Sequence, residues 1–222
     1  MKKDDEIKIG TESIMTTKKV PDPCEQAVLC LKFDENSGIK AYDSSGNGND
    51  GTLYNSPIWV SGKYGNALQF NGVDNRIEIL NSNSLSSLGA GDYTVMAWFK
   101  LSSTSATGDI LDKIGGSTTT GFYIGIPGDY IQFSTRNDSL IPTTQYMSFS
   151  WTRDTNWHNL VITVKGTNNV AMYLDGVLQT TPTNTRGTVN NPGNIAIGSY
   201  YTWGANLNGT IDEVRIYNKA IY

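Results

Sequence analysis

The sequence predicts an all-β protein in which two antiparallel sheets pack face to face. Short apolar runs recur along the chain, each long enough for a strand and too short for a stable helix. The 23 glycines, together with many Asn, Ser and Thr residues, place turn chemistry between most of these runs. A helical period is absent over any ten residues, and only 84–88 is expected to form a helical turn.

The two ends of the chain differ in character. Residues 1–23 are polar and charged and end in Pro-Asp-Pro, which indicates a linker or extension, so we assign 24–222 to the folded domain. The first residues are followed by acids instead of an apolar segment, so no export signal is visible. Cys24 and Cys30 can form a disulfide only if the chain folds back between them, and the alternative is that Cys30, which lies in an apolar run, is a small buried hydrophobic residue.

The strands can be placed from their apolar patterns. The run 27–33 predicts the first strand, and 93–101 predicts a central strand because both of its faces carry large apolar groups. Trp59 and Trp98 lie in such runs and are expected in the core. Asp-Gly at 175–176, between two apolar runs, is typical of a two-residue hairpin turn. Further strands are expected at 52–54, 67–70, 76–79, 110–111, 122–126, 131–134, 160–164, 170–174, 195–198 and 210–217.

Composition excludes two classes of partner. The formal net charge of −4 comes without a basic stripe, so we expect no nucleic acid partner. No apolar run approaches the roughly 18 residues that a membrane-spanning helix needs, so we expect no membrane insertion.

One polar loop and two distant acids suggest a cation site. Residues 43–51 contain only Gly, Asn, Asp and Ser, which favour a tight loop with many oxygens turned inward. Asp34 ends the first strand, and Asp212 shares strand parity with core-facing Val214 and Ile216. A buried carboxylate needs a partner. If the first and last strands are neighbours, both acids should meet the loop.

We therefore predict a structural Ca²⁺ held by Asp34, Asn47, Asn49 and Asp212, with carbonyl oxygens of the loop completing its shell. The alternative is that the acids only accept hydrogen bonds from backbone N–H groups of turns.

Seven sequence blocks stand in a recognisable order. They are LKFDE at 31–35, YDSSGNGNDG at 42–51, ALQFNG at 67–72, YTVMAWF at 93–99, WHNLV at 157–161, MYLDG at 172–176 and IDEVRIY at 211–217. In this order and spacing the chain resembles the laminin-G-like jelly-roll domains of the concanavalin A-like lectin/glucanase superfamily. The resemblance covers about residues 27–218. It implies a jelly-roll sandwich, a module of a larger extracellular or cell-surface protein, and often a structural calcium.

Ligand binding is expected at an aromatic loop. A sugar site needs aromatic faces for stacking, with amides and acids for the hydroxyls. The loop 199–206 offers such groups, and the candidate ligand-binding residues are Tyr200, Tyr201, Trp203 and Asn206. The alternative is that Tyr200 and Trp203 cap the core. A second candidate loop, 143–157, contains Tyr146 and Trp151.

Catalysis is not expected. The glucanase pattern Glu-x-Asp-x-x-Glu is absent, and retaining glycosidases need two carboxyl groups about 5 Å apart. Asp109 and Asp112 are three residues apart, the wrong spacing for one face of a regular strand. His158, the only histidine, is expected to have a structural role.

Three hypotheses remain from the sequence. The first is a non-catalytic module that binds a glycan or a protein surface beside other domains of its parent chain. The second is a glycan-active enzyme of the same superfamily, and the third is a spacer domain without a ligand.

Overall fold

The computed structural model describes residues 22–88, 91–113, 120–136, 144–166, 169–180, 192–199 and 205–221, which form two antiparallel sheets packed as a jelly-roll sandwich. This confirms the fold class predicted from the sequence. Among these residues the helices are a 3₁₀ turn at Pro23–Gln26 and α1 at Asn83–Ser86. Neither is long or apolar enough to cross a membrane.

Strands are numbered in chain order. Sheet A contains β1 (Leu29–Leu31), β4 (Ile58–Ser61), β5 (Asn66–Asn71), β7 (Tyr93–Leu101), β12 (His158–Lys165), β13 (Asn169–Leu174), β14 (Val177–Thr180) and β16 (Asn208–Tyr217). Its spatial order is β14-β13-β12-β7-β16-β5-β4, and β1 also pairs with β16.

Sheet B contains β2 (Lys40–Ala41), β3 (Gly51–Tyr54), β6 (Arg76–Ile79), β8 (Gly108–Asp112), β9 (Gly121–Ile126), β10 (Tyr130–Arg136), β11 (Thr144–Ser150) and β15 (Ile195–Ile197). Its spatial order is β11-β10-β9-β8-β15-β6-β3-β2.

The core lies between the sheets, and β7 is central to sheet A as predicted. Alternate β7 residues point inward because successive side chains of a strand face opposite ways. Tyr93 of β7 stacks on Phe122 of β9 with ring centroids 4.9 Å apart, which joins the two sheets. Truncating a buried aromatic ring of this kind to alanine costs about 3–5 kcal/mol.

The ends of the described chain cover part of the outer face of sheet A. Cys24, Ala27, Cys30 and Tyr217 form a second apolar cluster, against which Met96 of β7 packs. Cys24 and Cys30 are joined by a disulfide, which settles the alternative left open by their spacing. The Tyr217 hydroxyl donates to the Pro23 carbonyl oxygen at 3.0 Å, so the two ends are tied together.

The hairpin turn between β13 and β14 is the one expected at Asp175-Gly176. Both residues have positive φ, 52° and 78°, which is the backbone of a type I′ turn. The predicted helical turn at 84–88 corresponds to α1.

Two placements differ from the sequence prediction. The first half of 143–157 is not a loop but β11, the edge strand of sheet B, where Tyr146 is 57% exposed. Trp98 is half-buried on the outer face of sheet A and so lies outside the core, whereas Trp59 packs against the core as expected. Periodicity could not separate the two faces of β7 because both carry bulky apolar groups.

Candidate functional site

Asp34 and Asp212 meet at one turn, as the pairing of the first and last strands predicted. One edge of β16 is shared: β5 pairs with its residues 208–211 and β1 with 214–216. The end of β1 therefore meets the start of β5 beside Asp212. Asp34 accepts the backbone N–H of Asn66 at 3.1 Å, at the end of the same β4–β5 turn, residues 62–65.

The Asp212 carboxylate is held by the β4–β5 turn. Its Oδ2 accepts the N–H groups of Lys63 at 2.9 Å and Tyr64 at 3.0 Å. The turn comes so close that a side chain at Gly62 would lie 2.7 Å from Oδ2, and one at Gly65 would collide with Asp34. Both glycines are required by this close approach.

The parity argument for Asp212 was wrong. A β-bulge between Asp212 and Arg215 shifts the register, so that Asp212 lies opposite Trp98 and shares the outer face of sheet A. Asp212 is nevertheless fully buried, because the β4–β5 turn covers it. The extra residue, Glu213, has φ 53° and pairs with Arg215.

The surroundings of Asp212 leave one oxygen unused. Its Oδ1 is buried and has no hydrogen-bond partner in the described part of the chain. Burial raises the pKa of Asp212 to about 6, with the Glu213 carboxylate adding to the shift and the N–H groups of the turn opposing it. Phe33 and Glu213, each adjacent to one of the two acids, have φ of 58° and 53°, a strained conformation that persists only where the surrounding structure enforces it.

Asn47 and Asn49 do not join these acids. The amide of Asn47 donates to the carbonyls of Ala27 and Val28, and that of Asn49 donates to Val28 at 2.7 Å. These contacts lie at the start of β1, whereas Asp34 follows its end. The prediction that the loop 43–51 meets Asp34 and Asp212 is therefore wrong, although the two acids themselves do meet.

The loop 43–51 is organised by its own hydrogen bonds. The Asp43 carboxylate accepts the N–H groups of Cys30, Ser45 and Asn49, and the Ser45 hydroxyl. Ser82, just before α1, donates to the Asn49 side chain at 2.7 Å. The loop thus fastens β1 to α1, which explains its Asn, Asp and Ser content without a ligand.

Most of the predicted ligand loop falls outside the described residues: Tyr200, Tyr201 and Trp203 are not among them. Asn206 is described, and its amide donates to the Val73 carbonyl. The two ends of the loop are fixed, because Leu207 donates to Gly198 at 2.9 Å and Asp109 of β8 donates to Ala205 at 2.9 Å. The loop therefore starts and ends beside β8.

The outer face of sheet B carries a set of polar side chains that sequence reasoning missed. A bulge between Asp109 and Leu111 places Asp109 opposite Gly125 and Asp112 opposite Tyr123. Because Gly125 and Tyr123 are two residues apart on β9, both acids share the outer face, and the spacing argument against them was wrong. The buried polar residues that β8 and β10 present on this face are Asp109, Asp112, Gln132 and Ser134.

Two sequence features could have indicated this face. β8 contains two acids within an otherwise apolar strand, and its Ile110-Leu111 pair breaks the alternation that a regular strand would show. Either feature favours a bulge, since an acid on the inner face would lie in the apolar core.

His158 links two segments at one end of the sandwich, consistent with the structural role expected for it. Its Nδ1 lies 2.7 Å from Asp175 and its Nε2 lies 2.9 Å from Asp154. Its ring packs at 5.1 Å from Trp151. Burial opposes the charged form, but the hydrogen bonds to the two carboxylates raise the pKa of His158.

Trp151 lines an open cleft of about 530 Å³ with a polar wall of Thr104, Asp129, Ser150, Thr152 and Arg153. Arg153 is paired with Asp129 at 2.8 Å. The ring of Trp151 packs edge-on against Phe99 at 5.5 Å, so much of it supports the core.

Aromatic residues also lie on the outer face of sheet A near Asp212. Tyr64 contacts Trp98 edge-on at 6.0 Å, and the Lys63 ammonium lies 4.5 Å from the centre of the Trp98 ring. This face of Trp98 is therefore already occupied by the protein's own cation. No group of three or more His, Cys, Asp or Glu side chains that could hold a metal occurs among the described residues.

Comparison with known proteins identifies the family but no individual protein. No curated protein sequence matches the chain. The binding domain of Paraclostridial Mosquitocidal Protein 1 has a similar structure, with a TM-score of 0.72 at 16% identity over 90% of this chain and 50% of that one. The botulinum neurotoxin serotype G binding domain has a TM-score of 0.73 at 15% identity over 88% and 48%. The chain thus spans about half the length of these toxin domains.

A smaller domain matches over almost its whole length. Domain 4 of AbnA, a GH43 extracellular arabinanase from Geobacillus stearothermophilus solved in complex with arabinotriose, has a TM-score of 0.65 at 21% identity, over 89% of this chain and 94% of that domain. At these identities the likeness shows a shared fold. The Laminin_G_3 family model matches residues 71–222, more than half of the sequence. The chain belongs to this family, within the concanavalin A-like lectin/glucanases superfamily.

Proposed function

We propose that the chain is a non-catalytic carbohydrate-binding module of a larger extracellular or cell-surface protein, and that it binds a glycan on the outer face of sheet B. The observation that carries this proposal is the burial of polar side chains that point away from the core. On the outer face of sheet B, Asp109 and Gln132 are 6% and 8% exposed and lie on either side of Gly125. Polar groups that are largely buried and still reach the surface are the hydrogen-bonding groups that a sugar site requires.

The two outer faces differ, and the difference favours sheet B. The outer face of sheet A is covered in part by the disulfide-linked cluster and by the β4–β5 turn. The predicted aromatic loop begins and ends beside β8 of sheet B.

The comparisons and the disulfide support the wider part of the proposal. The matching arabinanase domain was solved with an oligosaccharide and comes from an extracellular enzyme, and the matching toxin domains are binding domains. A disulfide between Cys24 and Cys30 is typical of proteins in oxidising compartments.

We also propose a structural Ca²⁺ at Asp34 and Asp212. The buried, unpartnered Oδ1 of Asp212 is the feature that fits a cation. Two carboxylates with carbonyl oxygens of the surrounding turns are the ligand types that Ca²⁺ prefers. The ion would neutralise a buried acid and hold the ends of β1 and β16 to the start of β5. Asn47 and Asn49 have no part in it, since their amides bind β1.

A glycan array tests the main proposal. The purified chain should bind a small set of oligosaccharides, among which arabinotriose is included as a probe, and binding should survive EDTA if calcium only supports the fold. A chain that binds no glycan but captures a protein or nothing at all would favour the protein-binding or spacer hypotheses.

One observation favours an enzyme as the second candidate. The bulge in β8 puts Asp109 and Asp112 on one face, and burial followed by the charge of Asp112 raises the pKa of Asp109 to about 8. A carboxylic acid with a raised pKa beside a second carboxyl group is the pair that glycoside hydrolases use. Steady release of reducing ends from a polysaccharide would support this candidate and contradict the binding-only proposal.

A further inference from the structure

Asp109 is a buried acid on the outer face of sheet B. The residue is 6% exposed, and its carboxyl receives no hydrogen bond in the described part of the chain. An ionised carboxylate in this position would carry a large desolvation penalty. Since the pKa of Asp109 is raised to about 8, the neutral acid predominates at pH 7, with one O–H donor and one carbonyl acceptor.

The position of the carboxyl is fixed by Gly125 on the neighbouring strand. A Cβ atom at Gly125 would collide with Oδ1 of Asp109, so the acid occupies the space that a side chain of residue 125 would fill. The Tyr123 ring lies 3.7 Å from the same point. Gly125 in turn lies opposite Gln132 on β10, so Asp109 leans across β9 toward Gln132.

Gln132 completes the group. Its amide nitrogen donates to the Tyr123 hydroxyl, and its amide oxygen receives no hydrogen bond from the described residues. The side chains of Asp109, Tyr123 and Gln132 thus converge on the outer face. Asp109 offers a ligand one O–H donor and one carbonyl acceptor, and Gln132 offers its amide oxygen as a second acceptor.

We propose that Asp109, Tyr123 and Gln132 form a subsite for two neighbouring hydroxyl groups of an uncharged sugar. This proposal rests on the proposed function and names the residues and the ligand class of that site. A hydroxyl can donate to the free amide oxygen and accept from the neutral acid, which leaves no buried group unpaired. The neutral acid and the amide carry no positive charge, so the subsite offers no group that would pair with an anionic ligand.

Among the described residues, the titratable groups on this face are Asp112 of β8, Tyr123 of β9, and Tyr130 and Arg136 of β10, and β15 presents Ala196 beside Asp112. The Lys113 ammonium donates to the Gly193 carbonyl at 2.9 Å and to Asn81, and it also interacts with the charge of Asp112.

Three variants test the subsite on the oligosaccharides that the wild-type chain binds on the array, with arabinotriose in each series. Asp109→Leu removes both hydrogen-bonding functions and should weaken binding at least tenfold, whereas Asp109→Asn keeps a donor and an acceptor and should stay within about threefold. Gly125→Ala displaces the acid and should weaken binding as Asp109→Leu does. Gln69→Ala, on the outer face of the other sheet, is the control and should bind as wild type does.

Melting curves separate a binding role from a structural one. Asp109→Leu and Asp109→Asn should melt at or above the wild-type temperature at pH 8.5, because the wild-type acid must ionise there in a buried position. If both variants melt well below wild type, Asp109 is structural and the subsite is wrong. If Asp109→Leu binds as tightly as wild type, the subsite proposal is wrong and the proposed carbohydrate-binding function stands. If the wild-type chain binds no sugar, the subsite proposal and the proposed function are both wrong.

Discussion

His158 connects two loop segments through both of its ring nitrogens. Because each nitrogen faces a carboxylate, the doubly protonated ring satisfies both bonds at once, and the hydrogen bond from His158 correspondingly lowers the pKa of Asp154. The ring also packs against Phe99 at 5.7 Å, so the pair of carboxylates holds it in place at the edge of the core.

The stability that this contact supplies should depend on pH. The folded pKa of His158 is raised, so its contribution is complete below the ordinary value of 6.5 and is lost as the pH rises through the folded value. We expect His158→Phe, which keeps the ring packing, to lower the free energy of unfolding by about 1 kcal/mol at pH 6, a low figure because Asp154 and Asp175 are partly exposed. The difference should shrink at pH 9.

Urea unfolding of the wild-type chain and of His158→Phe at several pH values measures this difference in the free energy of unfolding. The titrations of Asp109 and Asp212 cancel in the difference, because both chains contain these residues. A difference that stays constant from pH 6 to pH 9 would show that the charge of His158 is unimportant.

At the same scale, single bulges limit what a sequence can reveal. Most strand positions and the Asp175-Gly176 turn follow from period-two patterns and turn chemistry, and the structure confirms them. Asp212 was assigned to the wrong face, and Asp109 and Asp112 were not expected to share a face, because one inserted residue in β16 and one in β8 invert the alternation. The conformation of Glu213 that permits the first bulge carries no sequence signal, since non-glycine residues rarely adopt it.

At the scale of elements, β16 organises the sandwich because three strands pair with it. β7 runs along one edge, and β5 and β1 follow each other along the opposite edge. The gap between β5 and β1 is where Asp34 and Asp212 meet the β4–β5 turn. A cation there would add to the hydrogen bonds by which the Asp34 and Asp212 carboxylates already hold the β4–β5 turn.

Calcium should therefore stabilise the fold. At a free concentration 100 times the dissociation constant, an ion that binds only the folded chain adds about 2.7 kcal/mol, or roughly 5–10 °C in melting temperature for a chain of this size. EDTA should remove this gain, and Asp212→Asn should abolish the response to calcium because it removes the charge of the buried carboxylate.

Asn47→Ala is the matched control for the calcium experiment. It should melt at a lower temperature with or without the ion, because its amide fastens the loop to β1, and its response to calcium should remain that of wild type. Equal melting temperatures of the wild-type chain in calcium and in EDTA would contradict the site, as would a calcium response that survives in Asp212→Asn.

At the scale of the whole molecule, the two outer faces have different roles in this account. The outer face of sheet A is covered in part by the ends of the described chain and by the β4–β5 turn. The outer face of sheet B carries the buried polar groups and adjoins both ends of the predicted aromatic loop. The fold could be predicted from seven sequence blocks, but the choice between these faces could not, since it depends on which loops cover which sheet.

The most direct test of the account is to map the ligand contact by NMR. Backbone amide shifts of the wild-type chain are followed during titration with the strongest-binding oligosaccharide from the array. We expect the largest shifts in β8, β9 and β10, centred on Asp109, Gly125 and Gln132, with little change in β4, β5 and β7. Shifts confined to the outer face of sheet A, or to the Trp151 cleft, would contradict the central claim that the sugar binds on sheet B.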